Sequence, residues 1–130
     1  MAGEQFFLGN LCTFPTITAV PRFRVVDLDT AGNVQLANAT TGIGVSQDTS
    51  YTNGLGPTAV PVMLHGTGIT RVEAGTAAIN IGDKVSVDST GRALGGVSSW
   101  TWLTTAYLGR ALTSCAASAA GTIVYVVTGV

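Results

Sequence analysis

Apolar positions recur along this chain at short intervals, and glycines and polar turns interrupt them before any run reaches helical length. RFRVVDLD (22–29) sets Phe23, Val25 and, after a slip, Leu28 on one side, and AGN (31–33) follows as a turn. NVQLA (33–37) and TGIGVSQ (41–47) are the next strand candidates. TAVPVML (58–64) alternates Ala59, Pro61 and Met63 against Val60, Val62 and Leu64. Proline cannot donate a ladder hydrogen bond, so this strand is expected at an edge or with that nitrogen turned away from its partner. DKVSVDS (83–89) points Val85 and Val87 inward and Ser86 outward, and AYLGRAL (106–112) and TIVYVVT (122–128) complete the set. Many short strands between turns predict an all-β fold, a small β-barrel or β-sandwich. LTSCAASAA (112–120) has helical propensity but is short for a helix, so it is expected as a loop or one to two turns ended by Gly121.

Residues 1–21 differ in pattern. EQFFLGNLCTFPTITAVP carries Phe6, Phe7, Leu8, Leu11 and Phe14, then prolines at 15 and 21. The pattern fits an extended N-terminal arm (1–21) ahead of a β-domain (22–130). The arm either packs as a first strand on its own core or lies on a neighbour, because a loose terminus has no use for five apolar anchors. The β-domain contains an internal echo. DTAGNVQL (29–36) resembles DSTGRAL (88–94), IGVS (43–46) resembles LGRA (108–111), and TAVPVML resembles GTIVYVV. The order of turn, strand, glycine-containing strand and apolar strand thus occurs twice.

Composition narrows the function. Charged residues make up 10% of the 130 residues and hydrophobic ones 46%, the opposite of a disordered chain. So little charge suits a protein whose surface is covered by partners. Net charge is −1, and Arg22, Arg24, Arg71, Lys84, Arg92 and Arg110 are dispersed along the sequence. Nucleic-acid binding needs a basic patch and is not expected. No apolar run reaches the roughly 18 residues of a membrane span. The N-terminus lacks a basic region before an apolar stretch, so a secretory signal is not expected and synthesis is placed in the cytoplasm. Cys12 and Cys115 have no metal-ligand or disulfide spacing and are expected as small buried thiols.

Catalytic and metal constellations fail in turn, so no enzyme, no metal site and no cofactor is expected. His65 is the single histidine, and no G-x-S-x-G elbow or phosphate-binding loop accompanies it. INIGDKVSVDSTGRALGG (79–96) brings Asp83 and Asp88 close in sequence. A strand between them separates the carboxylates by more than ~13 Å at about 3.3 Å per residue, too far to share a metal or a proton. Both fit as turn residues that bond their own backbone. Trp100 and Trp102 share one face of any strand they occupy, which suits core packing, a subunit interface or a sugar-stacking platform.

The order AGTAAINIGDKVSVDSTGRALGG, AYLGRAL, an Ala-rich loop and GTIVYVV resembles the tailed-phage capsid cement (head decoration) proteins of the small Gly/Ala-rich β type. GIGVSQD (42–48) and VMLHGTGITRVEAG (62–75) fit the matching first half, so the resemblance spans about residues 22–130. It implies a β-barrel or β-tulip-like protein on the outside of a virion head, a homotrimer clamping neighbouring major capsid proteins without catalysis. The long apolar arm and the SSWTW insert depart from the pattern. Interface residues are then expected at Phe6, Phe7, Leu8, Leu11, Phe14, Trp100 and Trp102. The alternative is a head-fibre base or carbohydrate-binding host-recognition module that uses Trp100 and Trp102.

Overall fold

The computed structural model describes residues 11–66, 68–95, 107–116 and 121–128. Eleven strands account for the regular structure among them: β1 (Leu11–Pro15), β2 (Val25–Leu28), β3 (Val34–Leu36), β4 (Gly44–Ser46), β5 (Tyr51–Asn53), β6 (Gly56–Leu64), β7 (Ile69–Glu73), β8 (Lys84–Val87), β9 (Ala93–Leu94), β10 (Tyr107–Ala111) and β11 (Ile123–Thr128). The all-β expectation holds. One sheet runs β1-β6-β4-β2-β3, with β5 also on β6, and the other runs β7-β11-β10-β8-β9, all antiparallel.

The two sheets are the same object built twice. Val26 faces Gly44 and Val25 faces Val45; in the second sheet Val85 faces Gly109 and Lys84 faces Arg110. Gly44 faces Leu64 as Gly109 faces Thr128, and Leu11 faces Met63 as Ile69 faces Val127. Irregular contacts repeat too. Phe23 N donates to Ser46 O as Gly82 N donates to Ala111 O, and Ser50 N to Val20 O as Cys115 N to Ile79 O. The echo in the sequence is therefore a duplicated five-stranded unit, residues 11–64 and 69–128, with β5 added to the first. Each unit curls until its outer strands meet. Thr16 Oγ1 donates to Val34 O in the first, and Ala74 bridges Ala93 in the second.

The hairpin turns show why the sequence folds this way. Asp29 Oδ1 accepts from the backbone of Ala31 and Asn33, and Asp88 Oδ1 accepts from that of Thr90 and Arg92. Gly32 and Gly91 close these turns at φ 85° and 80°, where a side chain is strained. Bonding from Asn33, foremost, holds the Asp29 carboxyl below its ordinary pKa.

Several sequence expectations change. Leu11–Pro15 is a strand on β6, and Val20 and Phe14 join the first unit's core, so residues 11–21 belong to that unit rather than to a separate arm. Residues 1–10 lie outside the described residues. β6 is an inner strand, but Pro61 sits opposite Thr13 and its carbonyl accepts from Gln47 N, beyond the last paired residue of β4. Its nitrogen thus points where no ladder donor is required. Ser86 is buried like its neighbours, because β8 lies between β9 and β10. Cys12 and Cys115 are unpaired and half-buried, and Cys115 pairs with Ile79 in an extended loop.

The units meet through unlike faces. Val25, Ala37 and Val45 of the first enter the core cluster of the second, while Val20, Val26, Val34, Val60 and Val62 form the first unit's own core. Glu73 N donates to Phe23 O at 2.7 Å, Val25 N to Gly91 O at 2.8 Å and Ala39 N to Asp88 O at 2.9 Å. The second unit's counterparts of Val25 and Val45 are Lys84 and Arg110. Its equivalent face is therefore charged and cannot bury a third unit in the same way.

A Cβ at Gly44 would lie 2.2 Å from Met63 O, and one at Gly109 would lie 2.0 Å from Val127 O. Gly44→Ala and Gly109→Ala are each expected to cost about 3 kcal/mol by overpacking against backbone. Gly32→Ala, with open space around it, pays only the φ penalty of about 1 kcal/mol. Urea denaturation of the three variants measures the contrast.

Candidate binding surface

Of the residues singled out in the sequence, Phe6, Phe7, Leu8, Trp100 and Trp102 lie outside the described residues. Leu11 and Phe14 are both on β1 but serve different ends. Leu11 is 40% exposed at the sheet edge, whereas Phe14 packs against Val20, Val26, Val34, Val60 and Val62. Residues 11–15 carry no charge, and β1 is the outermost strand of its sheet. Its counterpart β7 carries Arg71 and Glu73 and is partly covered by the first unit through the Glu73–Phe23 bond. Among the described strands β1 is an uncharged edge, and such an edge is suited to receiving another strand.

Other exposed apolar groups were not singled out by periodicity. Leu55 is 97% exposed at the tip of the β5–β6 hairpin, which has no counterpart among the described residues of the second unit. Ile17, Ile69 and Ile81 are also exposed. Asp83 and Asp88 are turn residues. The Asp83 carboxylate accepts from Asn80 N at 2.9 Å, and Asp88 closes its hairpin as described. Among the described residues no three His, Cys, Asp or Glu side chains are grouped as metal ligands would be.

The arginines differ most from the sequence picture. Dispersed along the chain, four of the six basic residues converge where the units meet. Arg24 Nη2 lies 2.7 Å from Glu73 Oε2 and its Nε 3.0 Å, and Arg92 Nε lies 2.8 Å from the same oxygen. Arg24 also donates to Thr90 O at 3.1 Å. Arg22 and Arg71 stand over the Phe23 ring, 5.4 and 5.0 Å from its centroid, within cation–π range. Sequence spacing could not reveal this cluster, since its members come from β7, the turn before β9 and the approach to β2.

His65 sits on the link between units. Its Nε2 faces the carbonyl of Thr41, so Nε2 carries the hydrogen, and Nδ1 is buried without a partner among the described residues. Burial lowers the His65 pKa below its ordinary 6.5, outweighing the Thr41 bond.

No protein-family model matches this chain, and no curated protein does. Among solved structures, the fold is similar to that of the head fiber gp8.5 N base in bacteriophage phi29, with a TM-score of 0.69 over 92% of both chains at 16% identity.

Two predictions follow from the ion cluster and the histidine. Glu73→Gln leaves two arginines without their carboxylate and is expected to cost about 3 kcal/mol, seen as a lower urea midpoint. For His65 the folded pKa lies below the unfolded one, so the unfolded state binds more protons and stability rises with pH. The contribution is full above pH 6.5 and is lost as pH falls below it. Denaturation midpoints between pH 7 and about 5 should decline in the wild type and flatten in His65→Gln.

Proposed function

We propose that this chain is a structural protein of a tailed-phage head, carried on the outside of the shell, where it acts by adhesion rather than catalysis. The observation that carries this reading is the fold shared with a head-fibre base over 92% of both chains. The resemblance of the Gly-Asp-Lys-Val strand and the twice-occurring Asp-x-x-Gly turn to head decoration proteins supports it. As a cement protein it clamps neighbouring major capsid proteins as a homotrimer. Several weak contacts made at once then give strong attachment through avidity. A closed ring requires heterologous contacts, and the open β1 edge and the segment bearing Phe6, Phe7 and Leu8 are suited to making them.

The second reading, a fibre base, is favoured by the neighbour itself, which is named as the base of a head fibre. Heads assembled without the protein separate the two. Loss of cement lowers the temperature at which heads release DNA. Loss of a fibre base removes a projection seen by electron microscopy and leaves that temperature unchanged.

The attachment segment is tested by truncation that spares β1, because Phe14 belongs to the core. Deleting residues 2–10 is expected to leave the thermal transition intact and to lower occupancy on heads at least about tenfold, the loss of one modest contact of about 1.4 kcal/mol. Unchanged occupancy, quantified by gel densitometry of purified heads, would remove the segment from the attachment mechanism.

A further inference from the structure

We propose that Arg22 and Arg71, held together on the ring of Phe23, form a docking point for an acidic polypeptide segment. The case begins with the backbone. Phe23 has φ 62°, a left-handed conformation that costs a bulky residue roughly 1–2 kcal/mol. The duplicated unit shows what that position needs for folding alone. Its counterpart, Gly82, has φ 87° and makes the equivalent bond, Gly82 N to Ala111 O, where Phe23 N bonds Ser46 O. A glycine therefore suffices for the fold. The phenylalanine stands there at a backbone penalty, so its side chain is read as having another task.

That task is visible in its neighbours. The ring holds two guanidiniums, one from the approach to β2 and one from β7. Both arginines are exposed, and neither meets a carboxylate among the described residues. Glu73, on the same strand as Arg71, is engaged by Arg24 and Arg92. The result is a fixed pair of cations, unneutralised and facing solvent, in a chain whose net charge is −1. Arginine forks bind carboxylates through paired, charge-assisted hydrogen bonds. Two forks on one ring fit two acidic side chains of a single segment. An extended phosphate backbone needs a longer row of cations and a free aromatic face, whereas this ring carries guanidiniums. The occupant is an acidic segment of the shell protein; that assignment of source rests on the head-surface reading above.

Binding of a labelled oligoglutamate peptide at low ionic strength tests the site apart from that reading. Arg22→Ser with Arg71→Ser is expected to weaken binding at least about tenfold. Lys84→Ser with Arg110→Ser, the same change in charge at another face, is expected to leave it nearly unchanged. Phe23→Gly should keep or raise the urea midpoint while weakening the peptide. Equal losses in the two double variants would overturn the site, as would unweakened binding to Phe23→Gly or tighter binding of oligothymidylate than of oligoglutamate. On heads, a wild-type protein that fails to bind overturns the functional reading and not the site. Full occupancy by the Arg22/Arg71 double variant removes the shell protein as the source of the segment.

Discussion

One carboxylate oxygen organises the junction of this molecule. Glu73 Oε2 receives Arg24 of the first unit and Arg92 of the second, so a single acidic side chain ties both halves at the point where β7 reaches the start of β2. The pairing is partly buried, and each guanidinium desolvated there requires that oxygen. The backbone bond from Glu73 N to Phe23 O fixes the same contact from the other side. With the registry of the halves set, Val25, Ala37 and Val45 enter the second core, and Gly91 can approach Val25 O so closely that a Cβ would lie 2.5 Å away. The first unit thus completes the second one's core instead of standing beside it.

The contact is directional. The first unit supplies the face that inserts and the second the core that receives it. The inserting face of the second unit carries Lys84 and Arg110 in place of valines, so it is not built to insert into another apolar core in the way the first one does. The halves also differ among the described residues: the β5–β6 hairpin with Leu55 at its tip is described in the first unit alone, and β1 is uncharged while β7 is charged and partly covered. The surfaces proposed for adhesion all lie where the two halves differ, and the shared features are those that close turns and pack strands.

Much of the fold was legible in the chain. The seven apolar strand candidates correspond to β2, β3, β4, β6, β8, β10 and β11, and the weak echo marked the duplication. β7 was missed because its inward side is Thr70 and Val72, too little apolar alternation to show a period. β5 is exposed throughout and β9 has two residues, so neither leaves a hydrophobic trace. The arm boundary at residue 21 was misplaced because prolines at 15 and 21 look like ends, although Val20 between them is wholly buried. The arginine cluster was illegible for a different reason: it depends on how two units dock, and nothing in the spacing of Arg22, Arg24, Arg71 and Arg92 reveals that.

Gly44 and Gly109 have a consequence for comparing sequences that take this fold. Each lies against a carbonyl of the next strand at a distance that no Cβ tolerates, so any chain folding this way keeps a glycine, or a change of strand path, at that point in each half. At 16% identity, a protein of the same fold shares little sequence with this chain, whereas a steric requirement of this kind holds wherever the strands take this path. Two glycines, in β4 and β10, are therefore the marks by which chains of this fold can be aligned, one half at a time.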